Sequence, residues 1–151
     1  MARAVIALGS NLGHRAEQLK DALAALASLR ETRLVAHSPL IETEPMDVPE
    51  AFRALRFLNG AALIETALGP QALLDELNRL EAAAGRVRSV RNGPRPLDLD
   101  IILYEGVRCQ SARLTLPHPR AHLRPFVLEP LAALGISRED VLANRLPSPT
   151  P

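Results

Sequence analysis

The chain has 151 residues, enough for one domain, and its hydrophobic fraction of 47% supplies material for a single core. With 23% charged residues and a formal net charge of +1, the global balance predicts neither nucleic-acid wrapping nor membrane adhesion, so any electrostatic recognition is local. The lone Cys109 excludes an internal disulfide and most thiolate metal sites, and no apolar run reaches the length of a secretory or membrane-spanning segment, which together read as a cytoplasmic protein.

Ala4 to Leu8 is a short apolar run stopped by Gly9, Ser10, Asn11 and Gly13, a buried strand ending in a turn. From Arg15 to Leu29 the spacing of Leu19, Ala22, Leu23 and Leu26 gives one helical stripe. Thr32 to Ile41 and Phe57 to Thr66 are β-compatible, and the proline-bearing segment 45–56 between them reads as a surface loop. Gly69 and Pro70 open a second helix with the stripe Leu73, Leu74, Leu77 and Leu80, and Gly85 suits its end. Asn78 and Glu81, three apart beside that stripe, share a face at the core boundary.

Residues 86–96 hold several arginines with Gly93, Pro94 and Pro96, so helix is disfavoured; Leu97 to Tyr104 is a strand, and a short helix follows near 128–134. The order strand, helix, strand, strand, helix, strand is the split βαβ pattern of an α+β, ferredoxin-like sandwich, with helices packed on one face of an antiparallel sheet and the active site on the other. One catalytic domain is expected over 1–145, followed by a frayed, proline-rich tail at 146–151.

The most informative stretch is Leu97-Asp98-Leu99-Asp100-Ile101-Ile102-Leu103. Alternation along a strand turns Leu97, Leu99, Ile101 and Leu103 to the core and leaves Asp98 and Asp100 together on the opposite face, about 7 Å apart at their Cα atoms. Two like charges there call for a cation, and all-oxygen ligation by few protein groups suits Mg²⁺ held against substrate phosphates. Two solvated aspartates on an exposed strand face would read the same way. Context favours the metal: Arg86, Arg88 and Arg95 lie just upstream, and guanidinium forks bind phosphate bidentately. His118, set between Pro117 and Pro119, is a further phosphate donor or an ordinary structural histidine.

These pieces occur in a specific order: Gly9-Ser10-Asn11-Leu12-Gly13, Thr43-x-Pro45, Phe57-Leu58-Asn59, Glu81 before Gly85-Arg86-x-Arg88, Gly93-Pro94-Arg95 before Asp98-Leu99-Asp100, and Pro117-His118-Pro119-Arg120. The set resembles the 6-hydroxymethyl-7,8-dihydropterin pyrophosphokinase family of folate biosynthesis, from Ala4 to about Leu131. The resemblance implies pyrophosphate transfer from ATP to the pterin's hydroxymethyl oxygen, with AMP released. It implies two Mg²⁺ ions on Asp98 and Asp100 and catalytic roles for Arg86 and Arg95. ATP contacts map to Asn78, Glu81, Arg88, Ile101, Arg113, Thr115, His118 and Arg124, and pterin contacts to Thr43, Pro45, Met46, Phe57, Asn59 and Phe126.

Independent chemistry agrees in part. A flat heterocycle suits two aromatic rings, and Asn59 offers the donor and acceptor that an amino-pyrimidinone edge needs. Asn92 stands where some members of the family carry a loop tryptophan, Asp47 where glycine is frequent, and Asn78 where some have a longer amide. The expected partners are ATP and the pterin, with no nucleic acid and no membrane, for a monomer. A sugar-nucleotide transferase and a non-catalytic ferredoxin-like ligand- or RNA-binding module are the rival readings; the small size opposes the first, and the near-neutral charge and 3% aromatic content oppose RNA.

Overall fold

The computed structural model describes residues 1–11, 14–43, 56–84 and 96–148. Its elements are β1 (Ala2–Ser10), α1 (Arg15–Ala27), β2 (Thr32–His37), β3 (Ile41–Thr43), β4 (Phe57–Thr66), α2 (Pro70–Ala83), β5 (Asp98–Tyr104), β6 (Cys109–Gln110), β7 (Thr115–Leu116), α3 (Pro125–Ala133) and α4 (Arg138–Ala143). The sheet runs in the order β2-β4-β1-β5, with β3 also on β4, and each of these pairings is antiparallel. Because β1 and β2 both oppose β4, they are parallel to each other with β4 between them, which is the split βαβ arrangement read from the element order.

Apolar spacing decides which side of each helix meets the sheet. The buried residues of α1 are Leu19, Ala22, Leu23 and Leu26, the stripe seen in the sequence, although the helix ends at Ala27 rather than Leu29. In α2 the buried set is Leu73, Glu76, Leu77 and Glu81. Both helices join Ala4, Ile6, Leu8, Ala62, Ile64, Leu99 and Ile101 in one core, where each fully buried leucine or isoleucine contributes about 1.5–3 kcal/mol.

Helices are not confined to that face. Val127 and Leu131 of α3 and Val141 of α4 pack with Val5, Ala61, Ile102 and Leu103 in a second core on the opposite side. The side chain of Leu103 therefore belongs to the Asp98 face, contrary to strict alternation. The cause is a bulge: Val5 pairs with Leu103 and Ile6 with Ile101, so Ile102 is the extra residue and shifts the parity after it.

Two further expectations change. Gly9 and Ser10 are strand, not turn, since β1 stays paired with β4 as far as Ser10–Leu58. The 32–41 segment divides into β2 and β3 because Pro39 has no N–H for a ladder; buried Ser38 fills the gap, its Oγ accepting from Ala61 N at 2.9 Å and donating to Pro39 O at 2.8 Å. The tail is anchored at its start, with Leu146 only 9% exposed and Arg3 Nη1 donating to Pro147 O at 2.7 Å. Before it, α4 is held by a reciprocal cap, Asp140 N donating to Ser137 Oγ at 3.1 Å and Ser137 N to Asp140 Oδ2 at 2.9 Å.

Candidate active site

β1 runs antiparallel to both β4 and β5, so its C-terminal end meets their N-terminal ends. There Gly9 pairs with Asn59 on one side and with Asp98 on the other, while Ala7 pairs with Asp100. Directly paired residues point to the same face. Asp98, Asp100, Gly9 and Asn59 thus share one surface, at the end of the sheet not filled by the second core. Both aspartates are half-buried. Among the described residues there is no group of three or more His, Cys, Asp or Glu side chains able to enclose a metal. A pair of hard carboxylate oxygens with few protein ligands fits Mg²⁺ that completes its octahedron with water and phosphate.

Gly9 is a site residue that sequence reading took for a turn former. A Cβ built on it would lie 2.9 Å from Asn59 Oδ1 and 3.6 Å from Phe57 Cδ1, so the missing side chain is what lets the Asn59 carboxamide lie against the sheet. That carboxamide is 6% exposed, and its Nδ2 donates to Thr43 Oγ1 at 2.5 Å. Thr43 pairs with Phe57 across β3 and β4, which puts Thr43, Phe57 and Asn59 on the aspartate face. Parity in the register, rather than any local motif, brings three of the predicted pterin residues, Thr43, Phe57 and Asn59, to the face of the predicted metal ligands.

Glu81 enters from the other side of β5. It is 2% exposed, and its Oε2 accepts from Leu99 N at 2.9 Å. β5 ends the sheet order, so this carboxylate satisfies an outer-edge N–H lying between the two aspartates in sequence. Ile101, also predicted to meet ATP, is 3% exposed, with its side chain in the α1/α2 core. Asn78 is half-buried one turn before Glu81. Arg113 pairs with Asp75 of α2 at 2.5 Å, and β7, which carries Thr115, lies against β5.

His118 follows β7, its backbone N donating to Ile102 O at 2.8 Å. Its ring Nδ1 accepts from Arg120 N at 3.1 Å, which leaves Nε2 as the protonated nitrogen of a neutral imidazole. Burial, with the Arg124 and Arg120 charges adding to it and the Asp98 carboxylate opposing, lowers its pKa to about 4. His118 therefore stays neutral near pH 7 and keeps a hydrogen-bond donor at Nε2. Arg124 lies over the Phe126 ring, 5.7 Å from the centroid, so a predicted phosphate ligand and a predicted pterin ligand are stacked at the start of α3. Pro45, Met46, Arg86, Arg88 and Arg95, together with the departures at Asp47 and Asn92, lie outside the described residues.

A ferredoxin-like sheet that sets paired carboxylates beside a histidine donor and a fixed carboxamide suits a small phosphoryl-transferring enzyme, the class that comparison with known families shows. A sequence model of the family 7,8-dihydro-6-hydroxymethylpterin-pyrophosphokinase matches residues 5–135, and the chain belongs to that family. It is 47% identical over 136 residues to the 2-amino-4-hydroxy-6-hydroxymethyldihydropteridine pyrophosphokinase of Pseudomonas aeruginosa, spanning 88% of this chain and 80% of that protein. To the protein of the same name from Haemophilus influenzae it is 47% identical over 147 residues, 95% of this chain and 87% of the other. In fold it is similar to the Plasmodium falciparum HPPK-DHPS crystal structure with pterin and p-hydrobenzoate, with a TM-score of 0.60 at 13% identity, covering 84% of this chain and 39% of that one. No helix among the described residues is long and apolar enough to cross a membrane.

Proposed function

We propose that this chain transfers the pyrophosphoryl group of ATP to the hydroxymethyl oxygen of 6-hydroxymethyl-7,8-dihydropterin, releasing AMP, as a step of folate biosynthesis. The observation that carries this reading is the rank Asp98, Gly9, Asn59 across three adjacent strands, which sets metal-binding carboxylates beside a carboxamide suited to a pterin edge. Asn59 and Thr43 orient the heterocycle, and Phe57 and Phe126 supply flat apolar surface for it. Asp98 and Asp100 would hold two Mg²⁺ ions, which when bound neutralise charge on the bridging phosphate oxygens. His118 donates from Nε2 to a phosphate oxygen, and Arg124 adds fixed positive charge. Arg86, Arg88 and Arg95 complete the cationic surround, and Asn78, Arg113, Thr115 and the Ile101 main chain receive the nucleoside.

Attack is in line on the β-phosphorus with no covalent enzyme intermediate, so positioning and electrostatic stabilisation carry the rate. Residues 1–145 act as one catalytic domain, as a cytoplasmic monomer needing neither nucleic acid nor membrane; the lone Cys109 and near-neutral charge agree with this. The test is turnover with ATP, Mg²⁺ and the pterin: AMP should accumulate rather than ADP. Asp98→Asn and Asp100→Asn should each lower the rate by about three orders of magnitude, on the scale of a lost electrostatic stabiliser, while the fold is retained. ADP as product, or near-normal rates in both variants, would refute the reading.

A further inference from the structure

Arg15, at the first turn of α1, reaches two points far away in sequence. Its Nη1 donates to the main-chain carbonyl of Arg56 at 2.7 Å, and its Nη2 pairs with Glu42 Oε1 at 3.2 Å. Glu42 precedes Thr43 in β3, and Arg56 precedes Phe57 at the start of β4. One guanidinium therefore bridges the two chain ends that flank segment 44–55, at the rung where Thr43 pairs with Phe57. β3 contributes three residues of pairing to β4, a short ladder whose own hydrogen bonds hold it weakly. The Arg15 side chain is 31% exposed and Glu42 is 49% exposed, so the ion pair itself adds little; the charge-assisted bond to the Arg56 carbonyl is the stronger arm.

We infer that Arg15 is a positioning residue for pterin recognition, which fixes the Thr43–Phe57 rung and through it the Thr43 hydroxyl that receives Asn59 Nδ2. The inference rests on the pyrophosphokinase reading of the same site. The polar contacts of Arg15 go to Glu42 and the Arg56 carbonyl, beside the Thr43–Phe57 rung, so its loss acts on one substrate. In Arg15→Ala, KM for the pterin should rise about ten-fold, equivalent to about 1.4 kcal/mol, while KM for ATP and kcat stay within about two-fold of wild type. Arg15→Lys, which keeps one donor, should recover part of the loss, and Glu42→Gln should change KM for the pterin less than Arg15→Ala does. Calorimetric binding of the pterin to Arg15→Ala, whose fold is checked by circular dichroism, supplies a readout independent of turnover. Unchanged pterin affinity in Arg15→Ala, or equal losses for both substrates, would overturn the inference. Wild-type protein that does not turn over the pterin would instead defeat the functional reading itself.

Discussion

Glu81 offers the sharpest separation of a structural from a ligand-binding role. Its carboxylate is buried at 2% exposure and receives Leu99 N at 2.9 Å, on the edge strand that carries Asp98 and Asp100. Glu81→Ala removes the acceptor and leaves a buried N–H without a partner, a cost of about 1–3 kcal/mol, and the shortened side chain adds a cavity. Glu81→Gln keeps an amide oxygen within reach of Leu99 N, so it should lose about 1 kcal/mol or less. Urea unfolding gives the stability difference, and hydrogen exchange of the Leu99 amide locates it: faster in the alanine variant, near wild type in the glutamine variant. If the clamp also aligns the aspartates, the Mg²⁺ concentration for half-maximal ATP-analogue binding should rise about ten-fold in Glu81→Ala, a difference of about 1.4 kcal/mol. Equal Leu99 protection in all three proteins, with both variants equally impaired in ATP binding, would show that Glu81 contacts the nucleotide rather than the strand.

Two further outcomes follow from the same surface. Gly9→Ala places a methyl 2.9 Å from Asn59 Oδ1 and must turn that carboxamide away from Thr43, so KM for the pterin should rise about ten-fold, about 1.4 kcal/mol, with the unfolding midpoint nearly unchanged; an unaltered KM would show that the Asn59 position is not needed. The imidazole of His118 has a folded pKa of about 4, below its ordinary 6.5, so between these values the unfolded chain binds a proton that the native protein does not. Its contribution to stability is complete above pH 6.5 and is lost as pH falls toward 4, by roughly 2–3 kcal/mol in the metal-free protein; His118→Gln should flatten that part of the urea stability profile, and identical slopes would refute the assignment.

The period of the apolar residues was enough to place α1, α2 and the Leu97, Leu99 and Ile101 side of β5, and a continuous apolar run marked β4, because burial on one side leaves a mark every second residue or every third and fourth. The Asp98–Asp100 pairing of faces needed nothing beyond strand alternation. What lay beyond local pattern came from contacts between distant segments. Ile101-Ile102-Leu103 is apolar throughout and carries no parity mark, so the bulge that sends Leu103 after Ile102 into the second core leaves no trace in composition. Gly9-Ser10-Asn11 has turn chemistry, yet pairing with β4 and β5 on both sides keeps Gly9 extended, a tertiary override of a local preference. The six-residue α4 is too short to show a stripe, although Ser137-x-x-Asp140 announces its first turn. The Glu81 bond to Leu99 joins a helix to a strand edge, and nothing in either segment alone specifies it.

The bulge has a functional consequence that links folding to the site. Asp98 and Asp100 carry like charges about 7 Å apart, a repulsion of about 1–2 kcal/mol at effective dielectrics between protein surface and water. Strict alternation would put Ile102 on the aspartate side and Leu103 on the other; the bulge brings Leu103 to the aspartate side as well, and both bury with Val5, Val127 and Leu131. Two buried aliphatic side chains contribute roughly 3–6 kcal/mol, more than the repulsion costs. One end of the strand is thereby free to concentrate negative charge because its other end is packed on both faces. The outer edge of this segment is held by Glu81, whose carboxylate accepts from Leu99 N between the two aspartates in sequence.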